Sequence, residues 1–167
     1  MTFTLRRIAP LAVVATLALG QAWAQEPVKV EGAWARASVP GQTASGAFMR
    51  LTATQAMRLV GLESPAAGVA EIHEMQLDNG VMKMRALPEL ALAARQAVEL
   101  KPGGYHVMLM DLKAPLQAGS QISLTLVLRD AQGAEQRQTL PLPVRAAAPA
   151  AAKAEGSGHG AHSGHHH

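Results

Sequence analysis

The chain has 167 residues, with 15 Lys+Arg against 12 Asp+Glu, seven histidines, eight methionines and no cysteine. That is one domain's worth of chain, long enough to bury a core without staples. The absence of thiols excludes a disulfide framework, an all-cysteine zinc site, a blue-copper centre with a cysteine ligand and any thiol nucleophile.

Residues 1–24 read as a secretory signal peptide. Arg6-Arg7 form a basic start, residues 8–20 an apolar run interrupted by Pro10, and Ala22-Trp23-Ala24 a small-x-small cleavage pattern. The run is too short for a membrane span of about 20 residues. Cleavage after Ala24 would leave 143 of the 167 residues in the periplasm. Two arginines and no acid leave with the leader, so the net charge of +3 falls to +1. Nucleic acid and anionic membrane surfaces are therefore poor partners. Trp34, Phe48 and Tyr105 are the aromatics that remain, too few to stack on bases.

From residue 28 to 144, short apolar runs bounded by turn residues predict strands at 28–35, 44–53, 58–64, 70–77, 81–87, 97–100, 106–112, 121–129 and 135–144. Strands at this spacing imply an all-β fold, an antiparallel barrel or sandwich. Residues 90–94 hold helix formers and are expected as a short helical turn. Trp34 is read as a core aromatic in preference to a wall of a site. Met49 is read as core, and Met57 carries no signal. Ile122, Leu124, Leu126 and Leu128 alternate with Ser123, Thr125 and Val127, the pattern of a core strand. Pro141 and Pro143 predict an edge or terminal position, because proline cannot donate to a ladder.

The chemistry concentrates between Glu71 and Met110. Asn79-Gly80 is a strong hairpin signal, since a type I′ turn needs φ > 0 at both central residues. With those two as the loop, Asp78 faces Val81, Leu77 faces Met82, Gln76 faces Lys83, Met75 faces Met84, Glu74 faces Arg85 and His73 faces Ala86. Cross-strand partners share a face. One face then carries His73, Met75, Met82 and Met84, and the other Glu74, Gln76, Lys83 and Arg85. After the turn at Pro102-Gly103-Gly104, His106, Met108 and Met110 also share one face of a strand. A single methionine in a strand is ordinary core filler; two His-x-Met pairs on separate strands are not what packing alone gives. Thioethers select Cu(I) and imidazole accepts Cu(I) or Cu(II), so the set suits copper.

The spacing from His73 to Met84, then to His106 and Met108, is H-x10-M-x21-H-x-M. This resembles the signature of the periplasmic copper chaperones called PCu(A)C. The flanking HEMQLDNGVMKMR and LKPGGYHVMLMDL, and the earlier GAWARASVPGQTASGAFMRL, are similar to that family as well, and the likeness runs from about residue 28 to 144. The resemblance implies a cupredoxin-like β-barrel over residues 25–145, with Cu(I) held by His73, Met84, His106 and Met108. Met75, Met82 and Met110 fall outside that ligand set and remain candidates beside the site or on its access path. The resemblance further implies delivery of copper toward the CuA centre of a cytochrome oxidase, to its CuA subunit or to a Sco-type assembly factor.

Residues 146–157 form an Ala/Pro/Gly linker that cannot bury a core. Residues 158–167 read GHGAHSGHHH, and their histidines, His159, His162, His165, His166 and His167, are candidates for Cu(II), with protons competing below about pH 6.5. The irregular spacing differs from that of a six-histidine tag. A tethered tail taking Cu(II) beside a barrel holding Cu(I) would hold both oxidation states on one chain. The leading expectation is a copper chaperone without turnover, and a copper buffer or resistance protein with no specific acceptor shares every residue. An enzyme is disfavoured, because there is no Ser-His-Asp order or carboxylate pair, and two His and two Met would fill the metal's positions. A structural adhesin fits least.

Overall fold

The computed structural model describes residues 26–146. The leader expected at 1–24, nearly all of the linker and the five tail histidines lie outside the described residues. Ten strands form: β1 (Val28–Arg36), β2 (Ala44–Ala53), β3 (Met57–Glu63), β4 (Ala67–Asp78), β5 (Val81–Leu87), β6 (Leu90–Leu92), β7 (Ala97–Leu100), β8 (Tyr105–Leu112), β9 (Gln121–Asp130) and β10 (Glu135–Arg145). The hydrogen-bonded order is β5-β4-β8-β7-β2-β1-β10-β9-β3-β6, and β2 also pairs with β8. The expected all-β sandwich is what forms.

Pairing is antiparallel except where β7 meets β8 and where β1 meets β10. The β1–β10 contact is short, Ala35 beside Val144 and Arg36 beside Arg145. It joins two halves that close on one core, in which Ala35, Leu51, Leu59, Val107, Leu109, Leu124, Leu126 and Leu128 are fully buried. Burying a leucine or valine side chain stabilises by about 1.5–3 kcal/mol, which makes this shared core the main source of stability. The prolines fit their positions. Along Glu135–Pro143, β10 pairs only with β9, so Pro141 and Pro143 leave no ladder donor missing on the other side.

Two expectations are corrected. Residues 90–94 do not make a helical turn; Leu90–Leu92 is a strand whose Leu90 and Leu92 pair with Leu59 and Met57 and are buried, with Ala91 exposed between them. Three residues of helix propensity cannot repay nucleation, whereas a period-two leucine pair can bury both side chains. Trp34 is not in the core. The ladder between β1 and β2 shifts register between Glu31 and Trp34, with Gly32 at φ +61°. One extra residue on β1 exchanges the two faces of the strand. Val28 and Val30 face the core before the bulge, Ala33 and Ala35 after it. Trp34 and Arg36 are thereby turned to the outside of the sheet.

Candidate metal centre

The β4–β5 hairpin has the register expected from its loop, from Asp78 opposite Val81 to His73 opposite Ala86. Asn79 and Gly80 both have positive φ, 51° and 80°, as a type I′ turn requires. The polar face pairs as its charges suggest, Arg85 to Glu74 at 3.0 Å and Lys83 to Asp78 at 2.6 Å. On the other side, β8 places His106 opposite His73 and Met108 opposite Glu71. It pairs with β2 so that Met108 lies opposite Gly46. Three ladders thus bring His73, Met75, Met84, His106 and Met108 onto one face.

That face is the outer one. Ile72, Val107, Leu109 and Ala47 turn the alternate side of the same strands into the core. The ligand candidates therefore sit on the surface of a sheet whose back is rigidly packed. Met75, Met84, His106 and Met108 line a cavity of about 420 Å³. His73 stands beside it, its ring centroid 6.0 Å from that of His106. Met82 pairs with Leu77 near the hairpin tip and is half exposed, while Met110 pairs with Val69 and Ala44; neither lines the cavity.

Each imidazole is fixed by a hydrogen bond to one ring nitrogen, leaving the other as a lone-pair donor. His106 Nδ1–H donates to the Gly104 carbonyl at 2.9 Å, and the same carbonyl accepts the Met75 backbone N–H at 3.2 Å. His73 Nε2–H donates to Glu71 at 3.1 Å. Anchoring one nitrogen on a carbonyl or carboxylate is the usual way a protein orients a metal-binding imidazole. The nitrogens left over are the informative ones. His106 Nε2 lies 3.3 Å from the Met84 sulfur. With bonds of about 2.0 Å to nitrogen and 2.3 Å to sulfur, tetrahedral ligands of one ion stand roughly 3.5 Å apart. His73 Nδ1 is buried with no hydrogen-bond partner, an orphaned acceptor of the kind a bound cation relieves. Two imidazoles on one tetrahedral ion have centroids roughly 5 Å apart, so the His73–His106 rings, at 6.0 Å, would close by about 1 Å on binding.

Among the described residues, no three His, Cys, Asp or Glu side chains group as a metal site. An ion here would draw on thioether sulfur, which disfavours calcium and magnesium and favours Cu(I). The sequence did not point to Arg36, Gln42 or Phe48, which also line the cavity. Trp34 stacks on Phe48 at 4.7 Å between centroids, and the Arg36 guanidinium lies 5.4 Å from the Phe48 centroid. Gly46 leaves room between these groups: a Cβ there would come within 3.0 Å of the Phe48 ring. The signal that could have found the cluster is Gly32, whose bulge changes the face of everything after it.

A family model described as LpqE-like, a lipoprotein family by its description, matches residues 28–144. A protein of Leifsonia xyli subsp. xyli named as a lipoprotein, Lxx21020, is 39% identical over 104 residues, 62% of this chain and 63% of that protein. This chain thus spans less than two thirds of that relative's length. Among solved structures, the copper-bound PCuAC domain from PmoF2 superposes with a TM-score of 0.58 at 25% identity, covering 72% of this chain and 93% of that one. The CuI form of DR1885 from Deinococcus radiodurans gives 0.54 at 28%, covering 75% and 83%. The expected cupredoxin-like architecture is the one these neighbours share.

Proposed function

This chain belongs to the LpqE-like family and has the fold of PCuAC domains, and from that premise we propose that it is an exported copper chaperone. Its cargo is Cu(I), held by His73, Met84, His106 and Met108. The observation that carries the reading is the contact of His106 Nε2 with the Met84 sulfur at 3.3 Å, with the orphaned His73 Nδ1 on the same outward face beside it. Copper in two of the structural neighbours supports it.

In this reading, His73 binds through Nδ1 and His106 through Nε2, each held in its tautomer by Glu71 and by the Gly104 carbonyl. Met84 closes the site from β5 and Met108 from β8. Met75 lies directly opposite Met84 and can take its place while the ion leaves; Met82 and Met110 are spectators. Export follows from the leader and from the lipoprotein naming of the family and relative. The acceptor is the CuA subunit of a cytochrome oxidase or a Sco-type assembly factor, and no turnover is involved. The tail histidines take Cu(II), a role argued from their sequence alone; a tail-deleted protein with undiminished Cu(II) binding would remove it.

The test of the site is Cu(I) titration against a competing chelator, for the intact protein and for His106→Ala. Equal affinities would end the assignment. Transfer to an apo acceptor, followed by the acceptor's own copper signal, separates delivery from buffering.

A further inference from the structure

Two buried side-chain polar atoms among the described residues lack any hydrogen-bond partner, His73 Nδ1 and Arg36 Nε. They belong to the same outer face, one beside the cavity and the other in its lining. They are opposite in kind: the first is a lone pair suited to a cation, the second an N–H suited to an anion. Unpaired buried groups are rare enough that two at one site ask for a common explanation.

The electrostatics sharpen the point. Arg50, Arg58, Arg85, Arg129 and Arg137 each pair with a glutamate, and Arg36 is not among the paired arginines. No acidic residue lines the cavity it borders. Its cross-strand partner is another arginine, Arg145, and partners in register share a face. A monovalent copper ion among His106, Met84 and Met108 would add a third positive charge to this neighbourhood. The one carboxylate placed beside it on this face, Glu71, is taken up by His73, and the cavity lining itself carries no negative charge.

We propose that the cavity beside Arg36 is a carboxylate site, in which an anion sits between the guanidinium and the metal-binding side chains. A planar guanidinium with a free edge matches a carboxylate two oxygens to two N–H groups. The guanidinium carbon lies over the Phe48 ring, 5.4 Å from its centroid, its buried Nε–H is without a partner, and the cavity of about 420 Å³ that Arg36 lines admits a small acid. The carboxylate is either that of a free organic acid arriving with copper or a side chain of the acceptor. The anion and the metal then reinforce each other, since the anion screens the metal's repulsion from Arg36 and is attracted by both cations. This coupling rests on the copper reading above, whereas anion binding to the metal-free protein does not.

The experiment follows the Arg36 Nε–H resonance and the backbone amides of the metal-free and Cu(I)-loaded protein by NMR. The probes are malonate, as a free acid, and N-acetyl-aspartyl amide, as a protein-like carboxylate, with sodium chloride matched for ionic strength. Saturable shifts at Arg36, Gln42 and His106 are expected, with a midpoint lower in the Cu(I) form on the order of five- to tenfold. Arg36→Gln should abolish saturation and Arg36→Lys should weaken it, the charge being kept and the fork lost. The tighter of the two probes identifies the source. Shifts that match sodium chloride, or that persist unchanged in a folded Arg36→Gln protein, overturn the proposal. Failure of Cu(I) to bind while malonate still saturates would sink the copper reading and leave the anion site standing.

Discussion

The two long hairpins of the molecule are built alike and used in opposite ways. In β9–β10, Leu124, Leu126, Leu128 and Leu142 are fully buried, while the alternate positions are mostly exposed or half-buried, Val127 excepted. In β4–β5 the alternation is equally regular, but β5 is exposed along nearly its whole length, with Met84 51% and Met82 50% accessible. Leu77 and Val81 at its tip are more exposed still. Apolar alternation in the first case is the hydrophobic effect at work. In the second it is left unspent, because the sheet's core-facing side is supplied by Ile72, Val107 and Leu109. Soft side chains left half-exposed in this way are available for binding.

Exchanging the roles of the two hairpins is therefore expected to fail in graded steps. The largest effect is on β9: Leu126→Ala should cost about 2–5 kcal/mol of folding stability, read by urea denaturation, while Cu(I) affinity of the folded fraction stays unchanged. His106→Ala should do the reverse, lowering Cu(I) affinity by roughly 100-fold or more, about 3 kcal/mol, in a chelator competition, with a smaller loss in urea. Glu71→Gln removes the carboxylate that orients His73, and a drop of about 10–100-fold in Cu(I) affinity is expected. The smallest effect belongs to the polar side of the site hairpin. Arg85→Ala breaks the pair with Glu74 and should cost no more than about 1 kcal/mol. A large loss of stability in that variant would mean the hairpin is held by its charges and not by its pairing to β8.

Much of this contrast could be read before any coordinates. The register of β4–β5 followed from Asn79-Gly80 alone, because a two-residue turn fixes every pair behind it. The ligand face followed from alternation. Which way that face points did not, because His73 and Ile72 lie on opposite sides and only the partners of β8 decide which side becomes core. Arg36 was out of reach for a related reason. Its place at the cavity depends on the Gly32 bulge and on pairings between β1, β2 and β8 that are far apart in sequence. Without the bulge, Trp34 continues the parity of Val28 and Val30 and belongs in the core, as its sequence position suggests. The strand at Leu90–Leu92 was hidden by brevity, three residues whose state is set by their pairing with β3, distant in sequence.

The outward setting of the ligand face has a kinetic corollary. An ion clasped there would be released by rotation of the Met84 thioether about its own bonds, a motion of picoseconds to nanoseconds for an accessible side chain, with no ladder broken and no core exposed. Loading and unloading would then be uncoupled from unfolding, and the sheet behind could be as stable as it needs to be without making a bound ion slow to leave.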